Sequence, residues 1–238
     1  ACLYSSPPPS PPPLPPLPPP RPPRPPHVPC VVDEARDFAG SNWDTIDPAP
    51  TANFGSTQGF TFSAFVTNTG NHNGWERIYD LSNGAPNDNI FLTFKDGLRV
   101  EHFHGTSLDA YDYATPGWFE SGVAVERHVV VTMYITSGWG GDSPRGPLRV
   151  YVDGVLVTTN DQGSPDGVAD FRFPRNVARS DLRIGRSAPG WNDPDFAGAM
   201  RDLHFWGVAL SAAEVADLYA AGSGGVGTFP PSVLARPA

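Results

Sequence analysis

Residues 147–157, PLRVYVDGVLV, decide the fold. Leu148, Val150 and Val152 alternate with Arg149 and Tyr151 up to Asp153-Gly154, and an apolar run resumes at Val155. A period of two places successive side chains on opposite faces of a strand. An Asp-Gly pair between two such runs is a strong hairpin signal, because a type I′ turn needs positive φ at both central residues. Two antiparallel strands joined by a two-residue turn are expected here.

The same pattern extends in both directions. In GFTFSAFVT (59–67), Phe60, Phe62, Ala64 and Val66 share one face, as do Val129, Val131, Met133 and Ile135 in RHVVVTMYI (127–135). Lys95-Asp96-Gly97-Leu98 offers a second tight turn between IFLTF and LRVEHF. From Val31 to about Gly207, short apolar runs are separated by Gly, Asn, Asp and Pro, which predicts many strands in an antiparallel sandwich or barrel. One helix is expected near the end, at the edge of the sandwich. Ser211 and Glu214 form its capping box, Val215, Leu218 and Tyr219 its apolar face, and Gly222 its C-terminal cap.

Upstream of the strands the composition changes completely. Residues 5–29, SSPPPSPPPLPPLPPPRPPRPPHVP, lie between the only two cysteines, Cys2 and Cys30. Proline fixes φ and donates no hydrogen bond, so helix and sheet are excluded and polyproline II remains. At that rise the path from Cys2 to Cys30 spans about 87 Å. A disulfide needs Cα atoms about 4.4 to 6.8 Å apart. The two cysteines are therefore expected to bond between chains. The expected organisation is a stalk over 1–30, a globular body over 31–225 and an extended tail over 226–238.

The formal charge is −9; Arg21 and Arg24 give the stalk +2, which leaves −11 on the body. An acidic body argues against nucleic acid as a partner. No apolar run reaches membrane-spanning length. The chain starts at Ala1, and the expectation is a mature secreted form, placed in an extracellular matrix, a cell wall or a surface appendage.

ARDFAGSNWDTI, GFTFSAFV, RIYDLSNG, RHVVVTMY, PLRVYVDGVLV, DLRIGRS and FAGAMRDLHFWGVALSAAEVADLYAAG, taken in order, resemble the concanavalin A-like lectin/glucanase superfamily, in particular its laminin-G-like and pentraxin-like jelly rolls. The resemblance implies an all-β fold of two packed antiparallel sheets, with one short C-terminal helix. The superfamily includes glycan-binding modules, adhesion domains and glycosidases. Its glucanase-like branch carries Glu-x-Asp-x-x-Glu on one strand, which sets a nucleophile and an acid at the separation retaining chemistry needs. That motif is missing here. Glu120 and Glu126 flank Gly122 at the wrong spacing, and Glu101 stands alone in RVEHFHG, so no catalytic residue is expected.

The resemblance also raises calcium. The position that is commonly aspartate on the last strand falls on Arg201, with Asp202 beside it, and arginine cannot ligate a hard cation. Asp80 and Asp88 in one Asx-rich cluster, and Asp193 and Asp195 in another, are the remaining Ca2+ candidates, with turn formation as the plainer reading. No cofactor is required. His102 and His104 share one side of a strand but lack a third ligand at defined spacing. Trp75, Trp118, Trp139 and Trp191 sit in polar, Gly-rich loops and are the candidates for stacking on sugar or contacting another subunit.

SPPPSPPP and LPPLPPP resemble the hydroxyproline-rich glycoproteins of green algal and plant walls, of pherophorin-like and extensin-like type. That resemblance implies O-glycans along the stalk, on Ser5, Ser6, Pro7, Pro8, Pro9, Ser10, Pro11, Pro12, Pro13, Pro15, Pro16, Pro18, Pro19, Pro20, Pro22, Pro23, Pro25 and Pro26. No asparagine lies in an Asn-x-Ser/Thr sequon. The expected function is a secreted structural glycoprotein that assembles with itself into a fibre, appendage or wall matrix. Extracellular polysaccharide is a further expected partner. The alternative is a stalked carbohydrate-binding adhesion lectin.

Overall fold

A computed structural model of the chain describes residues 30–32, 36–39, 44–45, 59–70, 74–95, 97–111, 124–136, 144–157 and 170–222. The proline stalk before Cys30 and the tail after Gly222 lie outside them. The element order is β1 (Cys30–Val32), β2 (Arg36–Ala39), β3 (Asp44–Thr45), β4 (Gly59–Asn68), β5 (Glu76–Ser82), β6 (Ile90–Phe94), β7 (Leu98–His104) and β8 (Ser107–Tyr111). It continues with β9 (Glu126–Tyr134), β10 (Arg145–Val152), β11 (Val155–Leu156), β12 (Asp170–Arg172), β13 (Asp181–Ile184), β14 (Ala197–Trp206) and α1 (Ala212–Gly222).

These strands form two antiparallel sheets. One has eight strands in the order β1-β14-β4-β9-β10-β11, with β2 also paired to β14 and β12 to β10. The other has six, in the order β3-β13-β5-β6-β7-β8. The core lies between them. The inward faces read from sequence are present: Phe60, Phe62, Ala64, Val66, Val129, Val131, Met133, Leu148 and Val150 all belong to it. Phe62 meets Tyr79 of the opposite sheet at 4.4 Å between ring centroids, and Phe205 at 5.0 Å. Each buried aromatic contributes on the order of 1.5–3 kcal/mol by leaving water, and each ring pair about 0.5–1.5 kcal/mol more.

The Asp153-Gly154 turn is in place, whereas Asp96 of the second lies outside the described residues. Asp153 and Gly154 have φ of 50° and 78°, as a type I′ hairpin demands, and Val152 pairs with Val155. Between β6 and β7, Lys95 N–H donates to the Gly97 carbonyl at 2.9 Å. Two bulges break the alternation. One shifts the β5–β6 register between Arg77 and Tyr79, so that Ile78 and Tyr79 both join the core. The other lies in β14 between Arg201 and His204, where Asp202 has φ 50°.

The capping box forms as expected: Ser211 N–H and Oγ–H both donate to Glu214 Oε2, at 2.8 and 2.7 Å. The helix, however, lies across a sheet face and not at an edge. Val130 of β9, Tyr151 of β10 and Trp206 of β14 point away from the main core, and Val215 and Leu218 pack on them. Gly222 ends the helix without a positive φ. A Cβ there would lie 2.3 Å from Phe65 Cε2, so close approach to β4 is what requires glycine.

Candidate functional site on the outer face of the six-stranded sheet

The strands that send Ile78, Tyr79, Leu81, Ile90, Leu92, Phe94, Leu98 and Val100 inward turn Arg77, Asp80, Phe91, Thr93, Arg99, Glu101 and Phe103 to the opposite face. That face is filled. Arg77, Asp80, Phe91, Thr93 and Glu101 are each at most 2% exposed.

Arg77 is its centre. The guanidinium donates to Asp193 Oδ2 at 2.7 Å, to the Trp75 carbonyl at 3.0 Å and to Thr93 Oγ1 at 3.1 Å. It lies over the Phe91 ring at 3.9 Å, while Arg99 lies over the Trp75 ring at 4.7 Å and pairs with Glu101. Cation–π contacts of this kind contribute about 0.5–2 kcal/mol each. Burial lowers the Arg77 pKa, opposed by Asp193, Asp80 and Glu101. Asp80 accepts from Asn89 Nδ2 and Ala188 N–H, both at 2.8 Å, and stands 3.8 Å from Arg77 Nε. Burial raises its pKa, and those two hydrogen bonds with Arg77 work against the shift. Asp193 is likewise raised by burial and held down by Arg77.

Two of the four candidate tryptophans come to this face. Trp75 adopts φ 64° under the two arginines. Trp191 packs on Phe103 at 5.7 Å, and its buried Nε1 has no hydrogen-bond acceptor among the described residues. Trp118 and Trp139 lie outside the described residues, as do Cys2, Glu120 and every serine and proline of the stalk. Cys30 opens β1, opposite Phe205 of β14.

The four candidate calcium ligands are not brought together. Asp80 and Asp193 flank Arg77. Asp88 accepts from Gly105 N–H at 2.8 Å and pairs with Arg175 at 3.3 Å, while Asp195 pairs with Arg186 at 3.3 Å. Among the described residues no group of three or more His, Cys, Asp or Glu could hold a metal ion. His102 follows Leu98 and Val100 into the sandwich and is 2% exposed; burial pushes its pKa down to about 3, with His104, Arg179 and Arg172 adding to the shift.

Glu101, solitary in the sequence, has Arg99 as its partner one strand repeat away. Glu126 pairs with Arg201 across β9 and β14 at 2.6 Å. Arg201 also donates to Asp202 Oδ2 at 2.6 Å and to the Gly222 carbonyl at 3.1 Å, and it covers the Phe65 ring at 3.8 Å. Where the resemblance led one to look for a cation ligand, this chain has a cation of its own. The arginines are the residues that sequence reasoning passed over. Arg77-x-x-Asp80 and Arg99-x-Glu101 were the available signals, although strand spacing alone does not reveal which pairs are buried.

Among described residues, no helix is long and apolar enough to cross a membrane. A laminin G family model, described as the concanavalin A-like lectin/glucanases superfamily, matches residues 40–216. No curated protein matches the sequence. Among solved structures, the CBM40 of Ruminococcus gnavus IT-sialidase bound to α2,3-sialyllactose is similar, with a TM-score of 0.55 at 14% identity over 79% of this chain and 96% of that one. Domain 4 of AbnA, a GH43 extracellular arabinanase from Geobacillus stearothermophilus in complex with arabinotriose, has a TM-score of 0.51 at 16% identity, covering 81% of each chain. The leech intramolecular trans-sialidase, at 19% identity and a TM-score of 0.54, covers 76% of this chain, which spans 26% of that enzyme. These identities speak for the fold, and with the family match over most of the body they lead to one statement: the chain belongs to the concanavalin A-like lectin/glucanase superfamily.

Proposed function

We propose that this chain is a secreted, non-catalytic structural glycoprotein that assembles with itself. In this reading the proline stalk, hydroxylated and O-glycosylated, forms the extended element, and the jelly roll supplies lateral contacts. One observation on the body carries the non-catalytic part. Asp80, Glu101, Asp181 and Asp193, which the six-stranded sheet and its covering loop gather on one side, each have an arginine partner. A glycosidase needs one carboxyl kept as an acid and another free to attack or to activate water. Carboxylates bound to guanidinium groups on a closed face suit neither role. The stalk supports the assembly part, since its two cysteines stand too far apart in polyproline II to bond with each other.

The test is electrophoresis of the purified full chain with and without reductant, alongside C2S and C30S. Ladders that collapse on reduction and shorten in either variant are the expected result. A monomer band under both conditions overturns covalent assembly.

A second reading, the stalked lectin, is favoured by Trp75 and Trp191 on a single face and by the sugars held by the similar solved structures. Selective retention of one glycan class by the full chain on a glycan array, lost in W191A, would move the reading there. Uniform absence of binding would leave the structural role.

A further inference from the structure

The most unusual buried group outside the candidate site lies on the other sheet. His128 of β9 is fully buried, and the C-terminal half of α1 covers it: Tyr219 stacks on its ring at 5.9 Å and Phe65 at 4.5 Å from the sheet side. Its Nε2 meets Ser63 Oγ at 2.8 Å, and its buried Nδ1 has no hydrogen-bond partner among the described residues.

The charged surroundings are one-sided. From β14, Arg201 and His204 both disfavour a positive ring. The nearby acids are engaged elsewhere: Glu126 and Asp202 pair with Arg201. Asp153 at the β10–β11 turn gives Oδ2 to Arg127 and Oδ1 to the backbone N–H of His128, not to the ring. From α1, the group facing the ring is the neutral Tyr219, while Asp217 lies on the exposed side of the helix. β4 contributes Ser63 and Phe65 and no charge.

We infer that α1 is an acid-releasable cover, in which a proton on His128 favours the state with the helix lifted from the eight-stranded sheet. The docked site admits only the neutral ring, whereas a lifted helix gives both ring nitrogens to water. Opening is therefore coupled to uptake of one proton. Burial, Arg201 and His204 together hold the docked ring's pKa down to about 3, from 6.5. Between those values, each pH unit of acidification raises the open fraction about tenfold.

Amide hydrogen exchange on the full chain, corrected for intrinsic rates, reads this directly. From pH 7 to pH 5 the amides of 215–222 are expected to lose about 25-fold in protection, and at both pH values to exchange faster than those at the centre of β4, which report global unfolding. In H128Q the pH dependence of the helix amides disappears. Unchanged helix protection at pH 5 overturns the inference, as does helix protection equal to that of β4 at both pH values, or the same dependence in H128Q. If H128Q does not fold, the ring titration of wild-type His128, followed by NMR, decides. A ring that protonates near pH 6.5 while α1 stays protected overturns the coupling, and a ring neutral in the docked state down to pH 5 upholds it.

Discussion

Gly222→Ala separates helix propensity from packing, because the two predict opposite signs. Alanine in place of glycine inside a helix stabilises by about 1 kcal/mol, and by less at the last residue. Packing works against it. The new Cβ would stand 2.3 Å from Phe65 Cε2 and 2.4 Å from Cζ. Ordinary carbon contacts are about 3.5–4.0 Å, so the ring or the helix end must move by roughly 1.2 Å or more. The ring has little freedom to do so: Arg201 covers one side at 3.8 Å and His128 stacks at 4.5 Å. Overpacking of this size costs about 1–3 kcal/mol. Moving the helix end also strains the Arg201–Gly222 carbonyl hydrogen bond, contributing about 1 kcal/mol. The expected net effect is a loss of about 1–2 kcal/mol in urea unfolding at pH 7. A double-mutant cycle with F65L gives the control. In the F65L background, G222A should cost nothing or stabilise, a coupling of at least about 1 kcal/mol. A G222A protein as stable as the wild type, or an equal penalty in both backgrounds, refutes the reasoning.

Other perturbations test separate parts of the structure. R77M leaves Asp80 buried and Asp193 half-buried without their cation and should cost about 3–5 kcal/mol in denaturant unfolding at pH 7. That deficit should shrink on acidification as the two carboxyls take up protons; a pH-independent deficit would mean that packing, not charge, was lost. S211A removes the cap hydroxyl and should cost about 1 kcal/mol, with no change expected at the six-stranded sheet. His102 and His128 both have pKa values pushed from 6.5 down to about 3. Between those values the unfolded chain binds the extra protons, so their stabilisation is complete above 6.5 and is lost as pH falls. Each should remove about 1.4 kcal/mol per pH unit. The raised pKa values of Asp80 and Asp193 act in the opposite sense towards the carboxylate range, so the slope is best read above pH 5. A flat stability profile from pH 6.5 to 5 would contradict burial of both rings.

Alternation and turn chemistry made most of the sandwich legible. The inward residues of β4, β9 and β10 and the Asp153-Gly154 turn follow from a period of two and from φ requirements that few residues meet. The reading failed where a local pattern depends on distant partners. Ile78 and Tyr79 break the period because a bulge in β5 turns both inward, and nothing within RIYDLS signals it. The helix was visible through Ser211 and Glu214, but its seat was not. That seat depends on Val130, Tyr151 and Trp206, which come from three strands and occupy the positions that alternation assigns to solvent. The candidate site was half legible for the same reason. Trp75 and Trp191 stood out by residue type, whereas Arg77 became central only once β5 and the loop bearing Asp193 were brought within 2.7 Å.

The geometry of β14 ties the unusual parts of this chain together. β1 begins at Cys30, directly after the proline tract, and its three residues pair with Leu203, His204 and Phe205. Phe205 packs in the core against Phe62 and Tyr79, so the strand that pairs with β1 is anchored by core packing. Four residues earlier, Arg201 holds the carbonyl that ends α1 and the ring that α1 rests on. Cys30, the first described residue, is thus held in the backbone ladder of the eight-stranded sheet through β1.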